Sequence, residues 1–391
     1  MEDSWEFIFM EDVQSHIEEH GVSGIEEFFK TKLGRWKDVE INIGITGNSG
    51  VGKSSFINAI RGLGDEDEGA AETDVTETTR EPTIYPHPTN EKIKFWDLPG
   101  IGTPNYPDLE TYCEKVELEK YDTFLILTMK RFTENDRLLA KKVEALGKSF
   151  FFIRTHIDVD YGSQRRKKSF NEEAMLKTIR EDCFGNLNGL TSGDVFLISN
   201  LYPAKWDFAR LTQAILDVLP FRQRECLTLS LGVLTSLSSD MLKRKAELLR
   251  GRIWMVASAS AAAAAVPVPG LNVAVDLALL TSEVTFYKSQ LGLPDENSYE
   301  FRRMAPESQE KVRKFCVTSA VQLASFLATY TAGSAVEEFA RFIPFIGLAI
   351  AGGISFSSTY YFLHQCVNEL EGTALSFLDE MTAKAVDFDI D

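Results

Sequence analysis

Residues Gly47-Asn48-Ser49-Gly50-Val51-Gly52-Lys53-Ser54 form a G-x-x-x-x-G-K-S stretch, and these residue types at this spacing bind phosphate. The glycines let backbone N–H groups turn inward around an anion. A helix start behind them adds unpaired N–H groups and a partial positive charge. Lys53 then reaches the β- and γ-phosphates, the Ser54 hydroxyl ligates Mg²⁺, and Ser55 continues the cradle. The context is the required one. A strand-like run, Ile41-Asn42-Ile43-Gly44-Ile45, precedes the stretch, and a helical pattern from Ser54 to Leu63 follows it.

Four further groups fit the same chemistry. Asp97-Leu98-Pro99-Gly100 ends a strand-like run, so the Asp97 carboxylate can hold Mg²⁺ through water and the Gly100 N–H can meet the γ-phosphate. The polar stretch from Ala70 to Pro86 carries Thr73, Thr76, Thr78, Thr79 and Thr83, as a loop does whose Thr ligates Mg²⁺ only beside a γ-phosphate. Thr79 is the first candidate and Thr78 the second, so the metal set reads Ser54, Thr79 and Asp97. Asp158 of Thr155-His156-Ile157-Asp158 can accept from guanine N1 and N2 together, which separates guanine from adenine. Ser199-Asn200 ends the last strand-like run, where a backbone N–H and the Ser hydroxyl can reach guanine O6. In this order behind a phosphate loop, the groups point to GTP and GDP rather than ATP.

Positioning them takes an alternating β/α chain. Strand patterns fall at Glu40–Thr46, Lys92–Asp97, Thr123–Met129, Phe150–Thr155 and Val195–Ser199. Helix patterns fall at Ser54–Leu63, Pro107–Leu118, Glu134–Leu146, Glu172–Cys183 and Asp207–Leu219. The alternation predicts an α/β domain, a mostly parallel sheet with helices on both faces, whose ligands bind at the carboxyl ends of the strands. At 391 residues the chain has length for two or three domains. A formal net charge of −17 disfavours a nucleic-acid partner. Five widely spaced cysteines without C-x-x-C suit a reducing compartment, and the acidic start Met1-Glu2-Asp3-Ser4 does not read as a secretory signal. The expectation is a cytoplasmic protein that is not secreted.

The stretch Gly47–Ser54 and the runs Phe95-Trp96-Asp97-Leu98-Pro99-Gly100-Ile101-Gly102, Phe152-Ile153-Arg154-Thr155 and Phe196-Leu197-Ile198-Ser199-Asn200 together resemble the immunity-related GTPases, an interferon-inducible family. The likeness extends to the N-terminal helices and the Ile253-Trp254 region. It implies a Ras-like P-loop GTPase domain inserted into an all-α helical domain built from both termini. It also implies cytosolic proteins that form homodimers or oligomers with GTP through the GTPase domain and act on membranes enclosing intracellular pathogens. On that reading residues 1–37 are N-terminal helices, 38–222 the GTPase domain and 223–391 the C-terminal helical domain. Lys53 places the chain with the Lys-bearing class. His156 departs from the family's usual Thr-Lys-x-Asp, and an imidazole stacks over the base where a lysine stem would pack. The second residue, Glu2, is not the glycine of the family's lipidated members, so attachment to an intracellular membrane comes from elsewhere or is weak.

Hydrolysis needs positioning and charge neutralisation. Lys53, Mg²⁺ and the Gly100 N–H supply part of it. Ras-like enzymes place Gln after D-x-x-G to orient water, and here Ile101 stands there. Glu77 looks like the Glu that the family uses for water positioning, and Arg80 can neutralise charge in cis or in trans. Three function classes fit these residues. The first is a GTPase coupled to self-assembly, the second a nucleotide-dependent switch with negligible hydrolysis, and the third a GTP-gated membrane-inserted protein.

Beyond Pro220 no strand pattern appears, and Leu227–Arg252 reads as one helix with a basic end. Two uncharged runs, 253–275 and 342–363, match the ~20 residues of a membrane span. Their prolines, glycines and polar residues favour buried bundle helices instead. His16 and His20 share one helix face without further ligands at a metal-binding spacing, and Arg165-Arg166-Lys167-Lys168 reads as a solvated basic loop.

Overall fold

The computed structural model describes residues 12, 15–16, 19–20, 24–73, 81–187, 194–232, 238–264, 271–315 and 350–388. They divide into two compact units, Trp36–Ser238 on one side and Met1–Arg35 with Ser239–Asp391 on the other. Helix α1 (Ile25–Gly34) precedes the first of these in sequence.

The unit Trp36–Ser238 is built on a six-stranded sheet. Its elements run β1 (Ile41–Gly47), α2 (Lys53–Arg61), β2 (Thr83–His87), β3 (Asn90–Asp97), α3 (Leu109–Val116), β4 (Thr123–Thr128), α4 (Glu134–Ala145), β5 (Ser149–Arg154), α5 (Ile157–Gln164), α6 (Glu172–Asn186), β6 (Val195–Leu197), α7 (Phe208–Val218) and α8 (Phe221–Ser230). The strand order is β2-β3-β1-β4-β5-β6, and every pairing is parallel except β2 with β3. Parallel neighbours require crossovers, and the helices supply them on both faces. Phe124, Phe152, Leu139 and Tyr112 pack on one face under α3, α4 and α6. On α2 and α7, Phe56 meets Phe208. Strand β4 is buried at all six positions because both of its faces are covered. A Thr133–Asp136 capping box starts α4, and the Asp108 side chain caps α3.

Three sequence expectations change here. The polar stretch from Ala70 does not reach Pro86 as a loop, because Thr83–His87 is an antiparallel edge strand on β3. Its exposed pattern and Pro86 hid it, and proline in a sheet is confined to such edges. The helix patterns include none between Phe150–Thr155 and Glu172–Cys183, yet Asp158 lies in the first turn of a helix, α5. The reading of Leu227–Arg252 as one helix fails, since α8 ends at Ser230 and Leu231 is extended.

The other unit is helical among its described residues: α1, α9 (Ser239–Ala264), α10 (Leu271–Gln290), α11 (Tyr299–Arg303), α12 (Pro306–Lys314) and α13 (Ile350–Phe388). Helix α9 packs along α13 and α10. A buried bidentate pair joins two of them, with Arg252 Nε and Nη2 donating to Glu283 at 2.9 and 2.8 Å. Arg252 Nη1 also donates to Leu33 O at the end of α1. Among the described residues no helix is long and apolar enough to cross a membrane. Residues 265–270 and 342–349 of the two uncharged runs lie outside the described residues. The His16 and His20 rings stack on one face at 5.0 Å, and no metal-holding cluster of His, Cys, Asp or Glu occurs among the described residues.

Candidate functional site

Strand β1 ends at Gly47, and the chain then wraps Asn48–Gly52 into the start of α2. Gly47 has φ 148, and a Cβ there would stand 2.3 Å from Leu127 O, so a side chain collides with the backbone of β4. Gly52 has φ 81 at the N-cap of α2, and its carbonyl accepts the first helical bond from Phe56 N at 2.9 Å. Gly47→Ala is expected to lower stability by at least ~2 kcal/mol, since both φ and the Leu127 contact oppose it. Thermal unfolding without nucleotide checks this, and an unchanged midpoint sinks it.

The charged groups gather at the carboxyl ends of β1 and β3. Lys53 Nζ donates to Gly47 O at 3.2 Å and lies 4.0 Å from Asp97 Oδ1, with only 9% of the lysine exposed. Ser54 Oγ donates to Asp97 Oδ2 at 3.3 Å. Parallel pairing brings Asp97 there, because Ile45 of β1 stands opposite it. Gly100 is placed by close approach. A Cβ on it would stand 3.2 Å from Gly47 O and 3.5 Å from Asn48 Cα, so a side chain here forces the turn and the phosphate loop apart by a few tenths of an ångström. Ser55, Val51, Ser49 and Gly50 complete the loop and its helix start. Glu77, Thr78, Thr79 and Arg80 lie outside the described residues.

Strands β5 and β6 deliver the second half. Thr155 Oγ1 lies 2.8 Å from Val51 O and 3.1 Å from Thr128 O, and its single proton shared between these carbonyls fastens the end of β5 to the phosphate loop. His156 sits in the left-handed region at φ 58 as the N-cap of α5. Burial holds its pKa below the ordinary histidine range, with Arg154 adding to the effect and Asp158 and Asp160 opposing it. The imidazole is therefore neutral at pH 7. Asp158 is half-buried in the first turn of α5, and its carboxylate makes no hydrogen bond among the described residues. Ser199 is buried, and its Oγ accepts from Leu201 N at 3.2 Å and Tyr202 N at 3.3 Å. Asn200 Nδ2 donates to Gly52 O at 2.9 Å. A backbone bond from Ile157 N to Ile198 O at 3.2 Å joins the two loops.

Sequence reasoning missed the groups that brace these loops. Arg154 is buried and donates to Asp160 Oδ2 at 2.6 Å, which ties the first turn of α5 to β5. Asp207 accepts from Leu197 N at 2.9 Å and Arg180 Nη2 at 2.6 Å, and Arg210 also reaches it. Burial raises the Asp207 pKa, but the hydrogen bonds from Arg210, Leu197 N and Arg180 outweigh it and hold the carboxylate below its usual range. Nothing local in the sequence singles out Asp160 or Asp207 from other surface acids. Arg165–Lys168 is exposed in the turn after α5.

A family model described as interferon-inducible GTPase matches residues 8–387. The chain is 35% identical over 350 residues to Interferon-inducible GTPase 5 of Rattus norvegicus, covering 86% of this chain and 75% of that protein. It is 33% identical over 353 residues to T-cell-specific guanine nucleotide triphosphate-binding protein 2 of Mus musculus, covering 89% and 82%. Among solved structures, a variant of Aquifex aeolicus Era bound to GDP.AlF4- aligns with a TM-score of 0.31 at 22% identity, covering 46% of this chain and 58% of that one.

Proposed function

The chain belongs to the interferon-inducible GTPase family, and from that premise we propose that it binds GTP with Mg²⁺ in the site of unit Trp36–Ser238 and hydrolyses it to GDP and phosphate. One observation carries this reading. Five parallel strands bring Lys53, Ser54, Asp97 and Gly100 to the phosphate loop, and the same loop is hydrogen-bonded to Thr155 and Asn200 of the base-side loops. In the proposal the loop N–H groups and the α2 N-terminus receive the phosphates. Lys53 neutralises the charge that spreads over the transferred phosphoryl group, and the Gly100 N–H holds the γ-phosphate. Ser54 Oγ and Asp97 Oδ2 are hard oxygen donors within 3.3 Å of each other and suit Mg²⁺. The ion would neutralise charge on the β- and γ-oxygens when bound. Thr79 adds a ligand and Glu77 orients water in the same proposal, with Arg80 as a further charge. Asp158 reads guanine N1 and N2, and the Ser199-Asn200 turn reads O6.

The wider role in this proposal is supported by resemblance to the family alone. It is GTP-dependent dimerisation or oligomerisation through the sheet unit, at the cytoplasmic surface of intracellular membranes, in interferon-type cell-autonomous defence. Ile101 favours this coupling, because a lone subunit lacks the Gln that orients water in Ras-like enzymes. The test is GTP turnover per subunit across a protein-concentration series, with light scattering alongside. Turnover should rise at least ~10-fold as assembly appears, within the range an added catalytic group supplies. Tight GTP binding with flat, negligible turnover at every concentration would instead establish the switch reading, which Ile101 also supports.

A further inference from the structure

The base-reading loops are locked to the phosphate loop by contacts that guanine recognition does not itself require. Gly52 is enclosed by two side chains from different loops. A Cβ built on it would stand 2.9 Å from Asn200 Nδ2 and 3.3 Å from His156 Cε1. The orientation of the Asn200 carboxamide is fixed by chemistry, because Gly52 O only accepts and so must face the amino end, at 2.9 Å. The other end, Oδ1, is buried with no hydrogen-bond partner among the described residues.

The imidazole is equally determined. Thr155 Oγ1 has one proton and faces two carbonyls, Val51 O at 2.8 Å and Thr128 O at 3.1 Å. That proton points to a carbonyl. His156 Nδ1, 2.9 Å from the same oxygen, therefore carries a proton of its own and donates it to Thr155. This bond holds the ring against Gly52 although the backbone of His156 stands in a region that costs a non-glycine residue ~1 kcal/mol or more.

We propose that Asn200, assisted by His156, is a specificity-determining positioning residue that couples the base to the phosphates. This rests on the guanine reading of the site. Asn200 carries both ends of the link. Its backbone N–H lies in the turn that reads O6, and its side chain grips the carbonyl immediately before Lys53. Gly52 O also receives the first bond of α2, so its placement sets the N–H groups that meet the phosphates. A base that carries O6 holds the turn in the arrangement in which Asn200 grips Gly52 O. An adenine, with an amino group there, repels the N–H and leaves the phosphate loop unseated. The two recognition events are thus cooperative, with no contact between base and phosphate.

The coupling is measurable as a cycle of four ligands on the full chain, GMP, GDP, AMP and ADP, by displacement of a fluorescent GDP. In the wild type, adding the β-phosphate should improve binding at least ~10-fold more for the guanosine pair than for the adenosine pair. Asn200→Ala keeps the backbone N–H and removes the grip, so the two improvements should become equal within about 3-fold. His156→Ala should move the ratio the same way but less, and it serves if Asn200→Ala unfolds. Affinity losses in equal proportion for all four ligands, with the wild-type ratio retained, would overturn the coupling and leave Asn200 a structural residue. Equal binding of GDP and ADP by the wild type would instead overturn the guanine reading itself.

Discussion

Asp158→Asn is expected to weaken GTP binding on the order of 10²- to 10³-fold and to strengthen binding of xanthosine triphosphate in the same protein. A carboxylate accepts from guanine N1–H and the N2 amino group at once, and each charge-assisted bond contributes roughly 1.5–3 kcal/mol. A carboxamide offers one acceptor and one donor, so one bond is lost and a donor then faces the N2 amino group. Xanthine has an oxygen at that position, which the new Nδ2 can satisfy. The scaffold should not notice the change. Asp158 is half-buried, and its carboxylate bonds to no described residue. Its turn is held by Arg154 on Asp160 and by Ile157 N on Ile198 O. The melting temperature without nucleotide should therefore stay within about 2 °C, since surface changes of this kind lie within ±0.5 kcal/mol. Titrations with GTP and xanthosine triphosphate decide the matter. A variant that keeps its GTP preference would move guanine recognition away from α5.

How much of this site the sequence discloses depends on whether a constraint is local. Gly47, Gly52, Lys53 and Ser54 are legible because a phosphate cradle needs those types within eight consecutive positions. Asp97, Thr155 and Ser199 are legible because each ends, or directly follows, an apolar strand pattern, and parallel strands of one sheet end on the same side. The strand β2 is not, since an exposed edge with Pro86 lacks the buried run that marks its neighbours. Helix α5 is not either, because Ile157 is its sole buried residue and no apolar period announces it. The end of α8 hides for the opposite reason. Leucines continue past Ser230, while the backbone of Leu231 has already left the helix. Least legible are the clamps. Asn200 on Gly52 and Asp207 on Leu197 join residues 148 and 10 positions apart, and what matters is the direction of one side chain. A sequence carries no signal for that direction.

Lys53→Ala should abolish measurable hydrolysis, with turnover down at least ~10³-fold. Removing one oxyanion donor in an enzyme costs about 10²- to 10³-fold, and here a full positive charge leaves as well. Lys53 is 9% exposed and its ammonium is held between Gly47 O and Asp97, so on the proposed reading it stands beside the phosphates without reorganisation. Exposed charges such as Arg165–Lys168 cannot replace it, because solvent screens them. The readout that separates lost binding from lost folding is thermal. A ligand at 100 times its Kd stabilises the native state by about 2.7 kcal/mol. The wild type should show that shift with GTP, and the variant should show none while still unfolding cooperatively. Lys53→Arg should fail nearly as badly, since a planar fork cannot reproduce the point charge that the ammonium places between Gly47 O and Asp97. Turnover within a few-fold of wild type in Lys53→Ala would mean that the phosphate charge is met by another cation, and the assignment of Gly47–Ser54 as the catalytic loop would fall with it.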